Sequence, residues 1–361
     1  MDGPVAGDDS AFAFEGNWHE YAPIAFSNLL LTIVTLGIYR FWATARTRRY
    51  LWSRSRFVYE HLEWTGTGKE LLIGFLLVAA LFAVPFFIVT NVAQAMILRG
   101  ETFLAGVLAL LAWLSIFYLG GLAQYRALRY RLARTRWRGI RGGSDDQGFG
   151  YGLSYMGKTF LGVLPLGLAI PWSMTSLWNE RWNRLSFGPY AFQAQAQWGS
   201  VFQRFLLFYL APLVFFLGTV AITFFGTALG LEAGEGTDLG VSLLILVIAF
   251  VLFFYLGLGL IAVGFYAKFY REAVGATRWN EVQFRFEAST KDWIKLLLGD
   301  VALVVLTLGI GLIFLSYRHW KFFMTHMEAY GEILLDTLTQ STTRISSHGE
   351  GLLDAFDVGA I

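Results

Sequence analysis

Four stretches, residues 71–92, 103–123, 204–229 and 239–267, stay apolar for the roughly 20 residues an α-helix needs to cross a bilayer core of about 30 Å. Few folds can hide that much apolar helix in water, so the chain reads as a mainly α, polytopic membrane protein. Its 56% hydrophobic content exceeds the roughly 45–50% of a soluble domain. Three further apolar stretches, near 22–43, 153–178 and 293–315, have span length but are interrupted by Gly, Pro or charge. The N-terminal residues Asp2, Asp8, Asp9, Glu15 and Glu20 lack the basic start of a signal peptide, so removal is not expected. The absence of cysteine excludes disulfides, thiolate metal sites and a Cys nucleophile.

Self-comparison organises the chain. FAFEGNWHEY at 12–21 is echoed by LEWTGTGKEL at 62–71, FQAQAQWGSV at 192–201 and FRFEASTKDW at 284–293. Each copy alternates like a strand and leads into a helix-length apolar run. RSRF at 54–57, RTRW at 134–137 and ATRW at 276–279 precede the strand, with NRLSF at 183–187 as a weaker copy. Basic helix ends come before them: Arg46 and Arg49, Arg126 and Arg129, Lys268 and Arg271, Arg318 and Lys321. The expected units are 12–53, 54–133, 134–183, 184–275 and 276–335, together one membrane domain over 11–335. Residues 1–10 are expected to be disordered and 336–361 to form a flexible tail.

Charge bears on topology. If all seven apolar stretches crossed, the arginines at 46–56 and at 126–141 would lie on opposite sides, against the positive-inside bias. Short hairpins that dip in and return, turning near Gly37, Gly167 and Gly309, keep every basic end cytoplasmic. Both termini are then cytoplasmic, and only the loops near 93–102 and 230–238 face out. Non-helical backbone at membrane depth demands cover by protein or a wet cavity, so the short hairpins are expected to be packed inside, away from lipid. The alternative is a single tilted span with a long cytoplasmic helix.

FAFEGNWHEY, NLLLTIVTLGIYRFWATARTRRY, RSRFVYEHLEWTGTGKELL, LTLGI and YRHWKFF together resemble the YjgN-like family of bacterial inner-membrane proteins, a family with a domain of unknown function. The resemblance covers about residues 10 to 335 and implies a multi-pass inner-membrane protein, without an activity, substrate or catalytic residue to transfer. Phe41, where the family favours Pro, and Arg54-Ser55, where it favours Asn-Thr, are departures in turn chemistry.

Chemistry-bearing motifs are sparse. GTGKE at 66–70 lacks the spacing and the Ser or Thr of a phosphate loop and reads as a strand-to-helix turn. The histidines, His19, His61, His319, His326 and His348, form no i, i+4 pair, so no metal or other cofactor is expected. GLGLIAVG at 257–264 reads as a helix-packing stripe. The basic, aromatic helix ends suit anionic lipid headgroups rather than nucleic acid.

Polar residues at membrane depth carry more information. The repeat places Asn28, Lys158 and Asp300 at equivalent positions on the first leg of each short hairpin. Packed around one axis, they form a candidate intramembrane polar site with a Lys158–Asp300 pair; the simpler reading has each snorkelling to water. No nucleophile, base and orienting group stand at a suggestive spacing, so an enzyme is not expected. A transporter or channel-like protein for a small solute is the leading reading. The alternative is a non-catalytic scaffold that binds lipid or an unidentified protein partner at exposed strand edges.

Overall fold

The structure, a computed structural model, describes residues 10–228, 237–333 and 335–344. Residues 1–9, most of the acidic loop at 230–238 and the tail beyond 344 lie outside the described residues.

Strand β1 (Phe12–Phe14) leads into helices α1 (Trp18–Val34) and α2 (Arg40–Ser53). The Asn17 side chain caps α1 by accepting from His19 N–H, as a short polar side chain at that position does. Next come β2 (Ser55–Phe57), β3 (Glu60–His61), β4 (Glu63–Trp64), α3 (Gly68–Val78), α4 (Val84–Leu98) and α5 (Thr102–Arg134). A π turn at Ala79–Ala83 joins α3 to α4. Pro85, with no N–H for the preceding turn, accounts for that irregularity.

The middle of the chain holds β5 (Thr135–Trp137), β6 (Ile140–Gly143), α6 (Phe149–Val163), α7 (Ile170–Trp182), β7 (Ser186–Phe187) and β8 (Tyr190–Ala194). A 3₁₀ turn then links α8 (Gly199–Phe205) to α9 (Leu210–Ala228), and α10 (Thr237–Gly275) returns. The last elements are β9 (Thr277–Trp279), β10 (Val282–Phe286), α11 (Thr290–Leu306), α12 (Leu315–His326) and β11 (Met327–Tyr330).

Among the described residues, three helices are long and apolar enough to cross a membrane: Thr102–Arg134, Gly199–Phe225 and Leu244–Gly275. The expected first span lies in the interrupted α3–α4 helix, whose Val84–Leu98 part is apolar but shorter. Gly257 and Gly259, expected to let another helix approach, face open space.

All strand pairs are antiparallel, and the strands form a 3-stranded and an 8-stranded sheet. Leu62 joins the two, because β3 pairs with β2 and β4 pairs with β5. The resulting order ends in β1 and β11, and these ends meet: Ala11 N–H donates to Glu328 Oε2 at 3.2 Å. The two edge strands, the places where a partner strand was expected to add, therefore lie side by side. The two-residue strand turns start with Val58, Arg138, Gly188 or Asn280 in the left-handed region. Phe12 and Phe57 stack at 4.6 Å, Phe57 meets Trp137 at 5.0 Å, and Phe187 meets Trp279 at 5.7 Å. This aromatic cluster closes the strand layer from within.

The short hairpins turn as the sequence indicates. Leu36-Gly37, Leu166-Gly167 and Leu308-Gly309 are each left-handed pairs. Gly37 N–H donates to Thr32 O and Leu36 N–H to Ile33 O; Gly309 and Leu308 repeat this with Val304 and Val305. That is a Schellman arrangement, which satisfies helix-end carbonyls locally. The expectation that these hairpins are shielded from lipid is corrected here, since Leu36, Leu166 and Leu308 are 94%, 87% and 94% exposed. A turn that bonds its own backbone can present apolar side chains to hydrocarbon without burial by other helices.

Residues 336–344, the start of the tail expected to be flexible, pack across the strand turns. Gln340 Nε2 donates to Gly139 O at 2.9 Å, and Arg141 donates to the Thr343 carbonyl. Burial holds the Arg141 guanidinium below its ordinary pKa.

Candidate functional site

The basic ends of α2, α5, α7, α10 and α12 surround a cavity of about 780 Å³, within the roughly 300–1,000 Å³ of ligand pockets. Its strand-side end is Phe12, Phe192, Phe284 and Trp182; its other end reaches Thr32, Arg40 and Leu312, beside the first and last hairpin turns. Arg48, Arg131, Thr44, Thr47, Ser316 and His319 lie on the wall between. Among the described residues lining it there is no Asp or Glu. Arg48 and Arg131 are buried at 5% and 9% exposure, and the Arg48 guanidinium carbon sits 5.1 Å from the Trp64 ring centroid.

Tryptophans bolt this ring together. Trp52 of α2 donates to Thr135 Oγ1 at 2.8 Å, Trp178 of α7 to Thr277 Oγ1 at 3.1 Å, and Trp320 of α12 to Ser55 Oγ at 2.7 Å. Each hydroxyl also donates to a carbonyl four residues back: Leu51, Arg131 or Ala273. The last bond ties the C-terminal hairpin to the first, and Trp52 and Trp320 stack at 4.0 Å. These residues were not foreseen. The signal was available: a Trp in each short hairpin's second helix, and Ser or Thr opening β2, β5 and β9.

The three polar residues expected to converge do not. Asn28 Nδ2 donates to Ala43 O and Thr47 Oγ1, both at 3.3 Å. Lys158 pairs with Glu180 at 2.6 Å, not with Asp300. Asp300 accepts from Arg318 Nε at 2.6 Å and contacts His319 Nε2 at 2.6 Å. Each residue clasps the two legs of its own hairpin, because equivalent positions in a ring face equivalent neighbours rather than one another. Asn28 and His319 line the cavity, whereas Lys158 and Asp300 do not. Asn28 Oδ1 is buried without a partner among the described residues.

The expected basic anchors divide. Arg49 and Lys321 are exposed. Arg46 is also exposed but donates to Ser27 Oγ at 2.9 Å. Arg126 donates to Gln147 O and Arg271 to Ala288 O, fixing chain segments that leave the strands. Arg318 belongs to the Asp300 clasp, Arg129 is buried, and Lys268 is half-buried.

The other motifs are structural. Thr67 caps α3 by accepting from Glu70 N–H, so GTGKE forms a helix start with Lys69 exposed. His61 and Arg56 hold the Glu15 carboxyl below the usual carboxylate range, the His61 hydrogen bond contributing most. No group of three His, Cys, Asp or Glu able to hold a metal occurs among the described residues.

Known proteins resemble the chain in sequence. The inner membrane protein YjgN of Escherichia coli strain K12 is 31% identical over 132 residues, and that of Salmonella typhimurium strain LT2 is 26% identical over 130 residues. Each match covers 36% of this chain and 30% of the relative, so the chain matches less than a third of those relatives' length. No solved structure matches. The model of a family of bacterial proteins of unknown function, DUF898, matches residues 9–355, and the chain belongs to that family.

Proposed function

We propose that the protein is a non-catalytic, multi-pass inner-membrane transport protein that holds its substrate in the central cavity. The observation that carries this reading is the cavity itself, walled by helices and strands from every part of the chain and blocked by aromatic side chains at the strand end. Five strand-plus-hairpin units form the ring. The strand layer, both termini and the basic helix ends face the cytoplasm, following the positive-inside bias. The three long apolar helices and α3–α4 cross the bilayer, and the short hairpins enter and return. Relatives named as inner membrane proteins support the location. A scaffold that adds a partner strand has less support, because β1 and β11 lie against each other.

The test is flux through vesicles carrying the purified protein, with small cations, small anions and fluorescent phospholipids as separate cargo. We expect transport of one class, abolished by Thr47→Trp, which fills the cavity. Rates equal to protein-free vesicles for every class would sink the reading.

A further inference from the structure

We infer that the cavity holds an uncharged, mostly apolar ligand by a hydroxyl group, which Ser316 and His319 of α12 bind together; this rests on the cavity being the binding site. Both residues lie on the cavity wall. Three residues apart, they share one face of the helix. Asp300, ion-paired with Arg318 off the cavity wall, stands 2.6 Å from His319 Nε2. An ionised carboxylate can only accept, so it fixes the proton of the neutral ring on Nε2 and leaves Nδ1 as a lone-pair acceptor. Nδ1 makes no hydrogen bond among the described residues, and 41% of the His319 side chain is exposed. The Ser316 hydroxyl is likewise unspent among the described residues. An alcohol satisfies both groups at once, since its O–H donates to Nδ1 while its oxygen accepts from Ser316.

The rest of the wall selects against charge. Arg40, Arg48 and Arg131 are each engaged with other groups of the chain, so an anionic ligand meets no unpartnered guanidinium there. No carboxylate stands among the described lining residues to balance a cation. Other polar groups are already spent: the three ring-closing indoles are held by hydroxyls, and Thr32 Oγ1 donates to Asn28 O at 2.7 Å. The aromatic faces at the strand end suit a flat ring, and in an apolar pocket a few convergent polar groups set the orientation. An uncharged molecule can enter from the bilayer beside the hairpin turns without carrying a charge through hydrocarbon.

The experiment is equilibrium dialysis of the full chain in neutral detergent, against detergent alone, at neutral pH. The probes are 2-naphthol, its methyl ether 2-methoxynaphthalene, which lacks the donor, and the anion 2-naphthoate. Saturable binding of 2-naphthol is expected, about tenfold tighter than either other probe, because the ether leaves Nδ1 unpaired. His319→Leu should abolish the preference over the ether. His319→Gln, whose amide can donate to Asp300 and accept from the probe, should retain part of it. Ser316→Ala, which leaves the Asp300 clasp intact, should weaken 2-naphthol binding several-fold and serves as the test if His319→Leu does not fold. Unchanged 2-naphthol affinity in either variant would overturn the assignment. Thr47→Trp should remove all saturable binding. Equal binding of 2-naphthol and its ether, lost in Thr47→Trp, would overturn the hydroxyl assignment and leave the cavity reading standing, as would 2-naphthoate binding most tightly. Binding of 2-naphthol indifferent to Thr47→Trp would place the probe elsewhere and count against both. No saturable binding of any probe would overturn the inference.

Discussion

In the short hairpins α1–α2, α6–α7 and α11–α12, the first helix carries a polar side chain that bonds to the second: Asn28 to Thr47, Lys158 to Glu180, Asp300 to Arg318 and His319. In α9 the hydroxyls of Thr219 and Thr223 donate to carbonyls of their own helix, Phe216 O and Thr219 O. Helix α10 shows the same contrast, because no residue in the most apolar window of Leu244–Gly275 is fully buried by protein. The difference teaches that length and polarity trade against each other. A long apolar helix can rely on lipid to cover its surface, whereas the legs of a short hairpin are held by bonds between them and by the ring they join.

The largest effect should come from breaking a clasp. Asp300 is 7% exposed, and Asp300→Ala leaves the Arg318 guanidinium without its carboxylate, a loss of about 3 kcal/mol. Leu252 of α10, which is 65% exposed, should give nearly no change on Leu252→Ala when both are measured by thermal unfolding in the same detergent. Similar losses at the two sites would break the comparison.

A smaller effect belongs to the turns. Gly309 has φ +92 with open space around it, so Gly309→Ala should cost about 1–2 kcal/mol through left-handed strain alone. Gly257→Ala, also in open space but within a regular helix, should stabilise by roughly 0.5–1 kcal/mol. The two substitutions shifting the unfolding midpoint in the same direction would contradict the turn geometry.

The smallest concerns the start of α11. Ser289 and Asp292 form a reciprocal capping box, and Ser289→Ala should cost about 1 kcal/mol. Hydrogen exchange should show the loss first at the amides of residues 290–292 and leave the Leu308-Gly309 turn protected. Uniform loss along the hairpin would mean that the cap and the clasp are one cooperative element.

The local elements were legible in the sequence. TLGI at 35–38 and 307–310 marked the turns, FAFE and FRFE marked strands, and three of the four long apolar runs fall in helices long and apolar enough to cross a membrane. What sequence spacing could not reveal was which copies face each other. Equivalence of Asn28, Lys158 and Asp300 was visible, but whether equivalent residues meet at an axis or each bond within their own unit depends on packing. The cavity was hidden for the same reason: Arg40 and Arg48 of α2, Arg131 of α5 and His319 of α12 share a wall only when the ring closes through Trp320 and Ser55.

The most direct test of the ring, and of the membrane orientation proposed for it, is thiol labelling of single cysteines placed in this cysteine-free chain at Tyr59, Gly100, Arg138 and Leu308. Tyr59 and Arg138 occupy strand turns, Gly100 the α4–α5 loop, and Leu308 the last hairpin turn. With an impermeant reagent on intact cells, the account predicts reaction at 100 alone, with 59 and 138 reacting only after permeabilisation and 308 shielded throughout by hydrocarbon. Reaction at 59 from outside while 138 stays protected would put the two strand turns on opposite sides of the membrane and contradict the closed ring.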